Sequence, residues 1–158
     1  MFKITIISVG SMKEKYFAEA IKEYEKRISA FAEVRDINLK EENLDNLREG
    51  DIASALEKEG KAIMDAIPSR AYKVALCVEG KSLSSEKLAE LVTNAKDAYG
   101  EICFIIGSSH GLSPKVKAVC DYRLSVSALT FPHRLMRVIL TEAIYRALSI
   151  ANGGKYHK

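Results

Sequence analysis

His133, Arg137 and Thr141 stand at i, i+4 and i+8, with Arg134 beside them, so a helix through this stretch carries them along one side. These residue types offer specific chemistry. An imidazole titrates near neutral pH and can take up a proton. A guanidinium grips a phosphate or a pair of nucleobase oxygens with two parallel hydrogen bonds. Towards the end of the chain, Glu142, Tyr156 and His157 add a carboxylate, a ring able to stack on a base, and a second imidazole. Each has an ordinary alternative. His133 is placed to cap a helix, Glu142 to pair with Arg146 one turn on, and Tyr156-His157 to be a frayed end. Gly153-Gly154 gives the tail a joint on which it can close over a ligand.

Three further stretches suit the recognition of a flat ring. They are Leu76-Cys77-Val78-Glu79-Gly80, Ile106-Gly107-Ser108-Ser109-His110-Gly111-Leu112 and Ser125-Val126-Ser127-Ala128-Leu129-Thr130-Phe131. Each mixes small residues, which admit backbone close to a ligand, with apolar side chains able to sandwich a ring. Other site types lack their patterns. A dinucleotide site demands Gly-x-Gly-x-x-Gly after the first strand, and "SVGSMKEK" holds one glycine. No Gly-x-x-x-x-Gly-Lys-Ser/Thr loop and no Gly-x-Ser-x-Gly elbow occurs. Cys77, Cys103 and Cys120 are widely spaced and read as free thiols in a reducing cytoplasm. No Cys/His spacing fits a zinc site, so no metal is expected.

The elements that must position these residues follow from periodicity. "FKITIISV" (2–9) reads as a strand and 13–30 as an amphipathic helix. "AEVRDINL" is a second strand, 40–51 an acidic loop, and the apolar positions from Ile52 to Ile67 a second helix. "YKVALCV" reads as a strand buried on both sides, turned by Glu79-Gly80-Lys81-Ser82. Ser84 is placed to cap the next helix, with Glu86 in its first turn. "EICFIIG" is a further strand. Ser113 and Pro114 then open a short helix, "YRLSVS" makes a last strand, and 132–150 a last helix. Strand and helix alternate throughout, which predicts an α/β fold: a mostly parallel sheet with helices on both faces, one domain over 1–158.

The last helix is apolar around most of its circumference, so one sheet face cannot cover it. A second copy of the chain is the expected cover, making a homodimer. No signal peptide is visible, and no apolar run approaches the roughly 20 residues that span a bilayer. Net charge is +3 but uneven: residues 11–61 carry ten Lys/Arg against thirteen Asp/Glu, whereas 122–158 carry six against one. That asymmetry points to a polyanion or phosphate at the C-terminal end.

Taken together, the three loop stretches and "SVSALTFPHRLMRVILTEAIYRALSIANGGKYHK" resemble the RlmH family, the ribosomal RNA large subunit methyltransferase H enzymes, over the whole chain. The resemblance implies a SPOUT-type fold with a deep C-terminal trefoil knot, a homodimer, and cytoplasmic methylation of N3 of a 23S rRNA pseudouridine with S-adenosylmethionine. It implies cofactor contacts from Leu76, Gly107, Val126, Ser127, Ala128, Leu129, Thr130 and Phe131. His133, Arg137, Glu142, Tyr156 and His157 are the implied catalytic candidates, and Arg134, Arg146, Lys155 and Lys158 the RNA contacts. With so small and modestly basic a chain, the expected substrate is an assembled ribosome rather than free RNA. Two positions depart from the family pattern: Ser108 where a second glycine is usual, and Ala143 where glutamine is. A positive φ at 108 would strain a serine there.

Overall fold

The computed structural model describes residues 1–42 and 49–158. Five strands alternate with five helices: β1 (Lys3–Val9), α1 (Lys15–Ile28), β2 (Glu33–Leu39), α2 (Glu49–Ala66), β3 (Tyr72–Ser82), α3 (Ser85–Tyr99), β4 (Glu101–Ile106), α4 (Pro114–Val119), β5 (Tyr122–Ser125) and α5 (His133–Ala151). The sheet order is β2-β1-β4-β3-β5, and every pairing is parallel. The expected α/β alternation is therefore present. Of the acidic loop expected over 40–51, residues 43–48 lie outside the described residues, and α2 already starts at Glu49.

The two-residue period of the strands sorts their side chains into two cores. Ile4, Ile6, Ile102, Phe104 and Ile106 face α1, α3 and α5, where Ile28, Val92, Leu140 and Ile144 meet them. Ile7, Val9, Cys103 and Ile105 face α2 and α4, packing on Ile63 and Val116. Helices thus cover both faces, and α5 lies against both α1 and α3. Local signals set several boundaries. The Ser84 side chain accepts from the Lys87 backbone N–H, and Gly100 ends α3 in the left-handed region at φ +71. Ser113 accepts from Val116 N–H, with Pro114 opening α4.

Two expectations are corrected at the sheet edge. Residues 79–82 are not a turn: β3 continues to Ser82, and Leu76 and Lys81 both pair with Leu124 across a bulge. Gly80 permits this, because a Cβ there would lie 2.6 Å from the Arg123 carbonyl oxygen. Within the bulge the strand is no longer buried on both sides, and Val78 is 62% exposed. β5 stops at Ser125, before the expected Val126-Ser127. Side-chain bonds replace the ladder there: Ser125 Oγ donates to Ser127 O at 3.1 Å, and Ser127 Oγ accepts from Leu129 N at 3.0 Å.

Beneath α5 a charged cluster joins three elements. Arg137 is 7% exposed and pairs with Asp36 of β2 at 3.6 Å. Burial, and then the neighbouring Asp36 carboxylate, push the Glu25 carboxyl of α1 up to about 7; Arg137 pulls it the other way. Because the folded value exceeds the unfolded one, the folded state binds the extra proton from about 4.5 to about 7. That stabilisation is full below 4.5 and lost as pH rises through 7. Glu25→Gln is therefore expected to raise Tm by about 2–4 °C at pH 8, where solvent screening limits the penalty to roughly 1 kcal/mol. At pH 5 the two proteins should melt together in a calorimetric scan; a pH-independent difference would show that Glu25 is not protonated on folding.

Candidate active site

A cavity of about 780 Å³ opens at the carboxyl ends of β3, β4 and β5, where open parallel sheets bind their ligands. The three loop stretches identified from sequence converge on it. Leu76, Gly107, Val126, Ser127, Leu129, Thr130 and Phe131 all line it. Ala128 does not; it is exposed between Ser127 and Leu129, which bond to each other. Val78 and Leu129 are among the few large apolar side chains left exposed, at 62% and 70%, and both belong to this lining. A bound ring would cover them.

The β4 loop owes its shape to two glycines. A Cβ on Gly107 would lie 2.1 Å from the Gly111 carbonyl oxygen, so no side chain fits. Gly111, at φ +89, makes the tight turn, closed by Gly111 N–H to Ser108 O at 2.9 Å. The strain expected at Ser108 is absent, since among the described residues no non-glycine has positive φ. Ser108 Oγ instead donates to the buried Glu59 carboxylate at 2.9 Å, whose other oxygen accepts from Glu42 N–H at 2.9 Å. The substitution therefore ties the loop to α2. Ala143, the other departure, packs half-buried in the α3/α5 core and does not line the cavity.

Sequence reasoning missed several lining residues. Lys117 of α4 pairs with Glu79 at the rim and holds its carboxyl below the usual range. Met136 lies one turn beyond His133, a spacing that the sequence offered. Cys77 also lines the cavity, but burial raises its pKa, leaving a thiol rather than a thiolate nucleophile. Burial pushes Cys103 up to about 12 and Cys120 up to about 11. Among the described residues no group of three or more His, Cys, Asp or Glu is placed to hold a metal.

The polar row of α5 divides. His133 lines the cavity. It does not cap the helix: Pro132 is the cap, and His133 is the first helical residue. Its Nε2 is buried without a partner, and a Cβ on Gly10 would lie 3.2 Å from it. Burial lowers the imidazole pKa, assisted by Arg134 and Arg137 and opposed by Glu41, so the ring is neutral at pH 7 and able to accept a proton. Arg134 bonds the Ser11 carbonyl at 2.9 Å and Glu14 at 3.4 Å. Arg137, expected at the mouth, is buried instead and pairs with Asp36 of β2, because a buried guanidinium requires a carboxylate.

Glu142, Tyr156 and His157, expected at the same place, are elsewhere. With 1.5 Å of rise per residue, Glu142 lies about 13 Å and Arg146 about 20 Å along α5 from His133. There they form a second cluster. Arg146 binds Glu142 at 2.7 Å and lies 4.7 Å over the Tyr156 ring. Tyr156 donates to Glu142 at 3.2 Å. His157 lies 3.1 Å from Arg146 and 2.9 Å from Glu86 of α3. The tail is thus docked rather than frayed, while Lys155 and Lys158 remain exposed. None of these residues lines the cavity of its own protomer.

Known proteins resemble this chain along its length. A family model described as "Predicted SPOUT methyltransferase" matches residues 2–157. A protein of Streptococcus thermophilus named ribosomal RNA large subunit methyltransferase H is 46% identical over 158 residues, covering 99% of both chains. Bearers of the same name from Clostridioides difficile and Caldicellulosiruptor bescii are 45% and 46% identical, each over 98% of this chain and 99% of its relative. With its parallel sheet and strand-end cavity, the chain belongs to the SPOUT methyltransferase family, whose enzymes work with a methyl-donor cofactor.

Proposed function

We propose that this protein methylates N3 of a pseudouridine in 23S rRNA, using S-adenosylmethionine, on the assembled ribosome in the cytoplasm. The observation that carries the reading is the convergence of three distant loops on one cavity with a neutral, unpartnered imidazole at its rim. The names of the relatives, ribosomal RNA large subunit methyltransferase H, supply the substrate class. The chain is read as a single catalytic domain, with the family's trefoil knot at its C-terminal end.

S-adenosylmethionine, when bound, supplies a methyl group activated on a positively charged sulfur. The protein's part is placement and proton handling. Leu76, Leu129 and Phe131 offer apolar walls for the adenine, and the backbone around Gly107 and Val126–Thr130 offers hydrogen bonds to its edge. The His133 imidazole takes the proton from N3 as the N3–methyl bond forms and the sulfur–methyl bond breaks. Alignment of nucleophile, methyl and leaving sulfur supplies much of the rate.

Leu135, Val138 and Ile139 are only partly buried on α5, the side to which a second copy would pack in a homodimer. Within that dimer, Glu142, Tyr156 and His157 act on the partner's cavity, and Lys155 and Lys158 contact RNA. Arg137 and Arg146 hold the mouth and the tail in place. No helix among the described residues is long and apolar enough to cross a membrane.

The test is methyl transfer from radiolabelled S-adenosylmethionine to ribosomes and to protein-free 23S rRNA, followed by mass mapping. Label on one pseudouridine, with ribosomes the better substrate, is expected. Label on another base or another RNA would overturn the assignment.

A further inference from the structure

A second cavity, of about 460 Å³, adjoins the first at the carboxyl ends of β1 and β2, lined by Ser11, Lys13, Asn38, Lys40, Glu41 and Arg134. Its framework is internally bonded. Asn38 Nδ2 donates to Gly10 O at 2.5 Å, and Arg134 Nε donates to Ser11 O at 2.9 Å. These bonds fix the walls and orient the guanidinium. One Arg134 nitrogen meets Glu14 at 3.4 Å. Lys13 and Lys40 are exposed and, among the described residues, have no carboxylate within ion-pair distance. Glu41 is the one acid of this lining, and it accepts from Ser109 Oγ of the neighbouring loop at 3.2 Å. Three cations therefore line the cavity beside Glu41, one of them, Arg134, also paired with Glu14.

The two cavities are separated by very little. His133 lines the first and Arg134 the second, as consecutive residues. Ser109 and Glu41 bridge the same divide. A Cβ added to Gly10 would touch both His133 Nε2, at 3.2 Å, and Glu41, at 3.3 Å, so only the bare glycine keeps the wall this thin. For a nucleotide whose base lies beside His133, the Arg134 side is within one nucleotide step of a backbone phosphate. Phosphate contacts of this kind fix register without reading sequence.

We infer that the second cavity binds a phosphodiester of the substrate RNA flanking the methylated nucleotide, held by Lys13, Lys40 and Arg134. This rests on the function proposed above. It adds an anchor at the N-terminal strand ends, far in sequence from the basic C-terminal segment.

The experiment uses the full-length protein with Lys13→Glu/Lys40→Glu, and with each lysine changed to alanine. Both side chains are exposed, so the fold is retained. Binding to ribosomes is measured against salt, alongside methyl-transfer kinetics and calorimetry with S-adenosylmethionine. The double reversal should raise KM for ribosomes about 10-fold or more with kcat nearly unchanged, and each alanine should lower the salt slope by about one. Donor affinity should be unchanged. Wild-type KM and salt slope in the variants would overturn the inference. So would loss of donor affinity with RNA binding intact, which would assign the cavity to the donor's carboxylate. If the wild type itself transfers no methyl to ribosomal RNA, the parent reading fails, while the salt dependence of RNA binding still decides the cavity.

Discussion

Gly107→Ala should reduce methyl transfer at least about 100-fold, chiefly by loss of methyl-donor binding, since misplacing a reactant by an ångström is enough for that factor. The added Cβ would lie 2.1 Å from the Gly111 carbonyl oxygen and 2.5 Å from its carbon. The obstacle is backbone, not a side chain that can swing aside. That backbone is itself held by the Ser108–Gly111 bridge and by the positive φ of Gly111. Accommodating the methyl therefore means opening the loop that forms one cavity wall. Ser108→Gly is the informative contrast. It removes the hydroxyl bonded to Glu59 but asks nothing of the backbone, so it should destabilise by about 1–3 kcal/mol while leaving donor affinity within roughly tenfold. Calorimetry with S-adenosylmethionine, alongside thermal melts, separates the two. An alanine variant that binds donor as tightly as wild type would show that this loop is not part of the donor site.

The contrast between these adjacent residues also shows which information the sequence carries. The small residues at 107–111 marked a loop that lines the cavity, because glycine there answers a local steric demand. The conformation of Ser108 was not readable: the positive φ falls three residues later, on Gly111, and the partner of Ser108 is on α2, far away in the chain. Arg137 illustrates the same limit. Its spacing from His133 correctly placed both on one side of α5. Whether that side met solvent or Asp36 depended on how α5 packs on α1 and the sheet, which helical periodicity does not encode. The β3 bulge escaped for a different reason. Glu79-Gly80-Lys81-Ser82 has turn composition, and only the close approach of Gly80 to Arg123 reveals a strand continuing past it. The alternating β-α order needed none of this, since strand and helix periods are local.

Removal of residues 155–158 should abolish methyl transfer, lowering it at least about 100-fold, the scale on which losing a positioned catalytic group acts. Donor affinity and the proposed dimerisation should survive. The reason is geometric. Tyr156 and His157 are fixed to Glu142, Arg146 and Glu86, roughly 13–20 Å along α5 from His133, so they cannot serve the cavity of their own protomer while docked there. Docking against the rim of a second copy is how they would reach a reacting base. A mixed dimer decides this. One protomer carries Gly107→Ala with its tail intact; the other lacks 155–158 but keeps its cavity. If the tail acts across the interface, the intact cavity receives the intact tail, and activity returns to about half that of a wild-type dimer, one working site in two. If the tail acts within its own protomer, each half is separately defective and the mixture stays inactive. Full activity in the homodimeric truncation would remove the tail from the mechanism altogether, leaving the proton acceptors that line the cavity itself, His133 with His110 and Glu79.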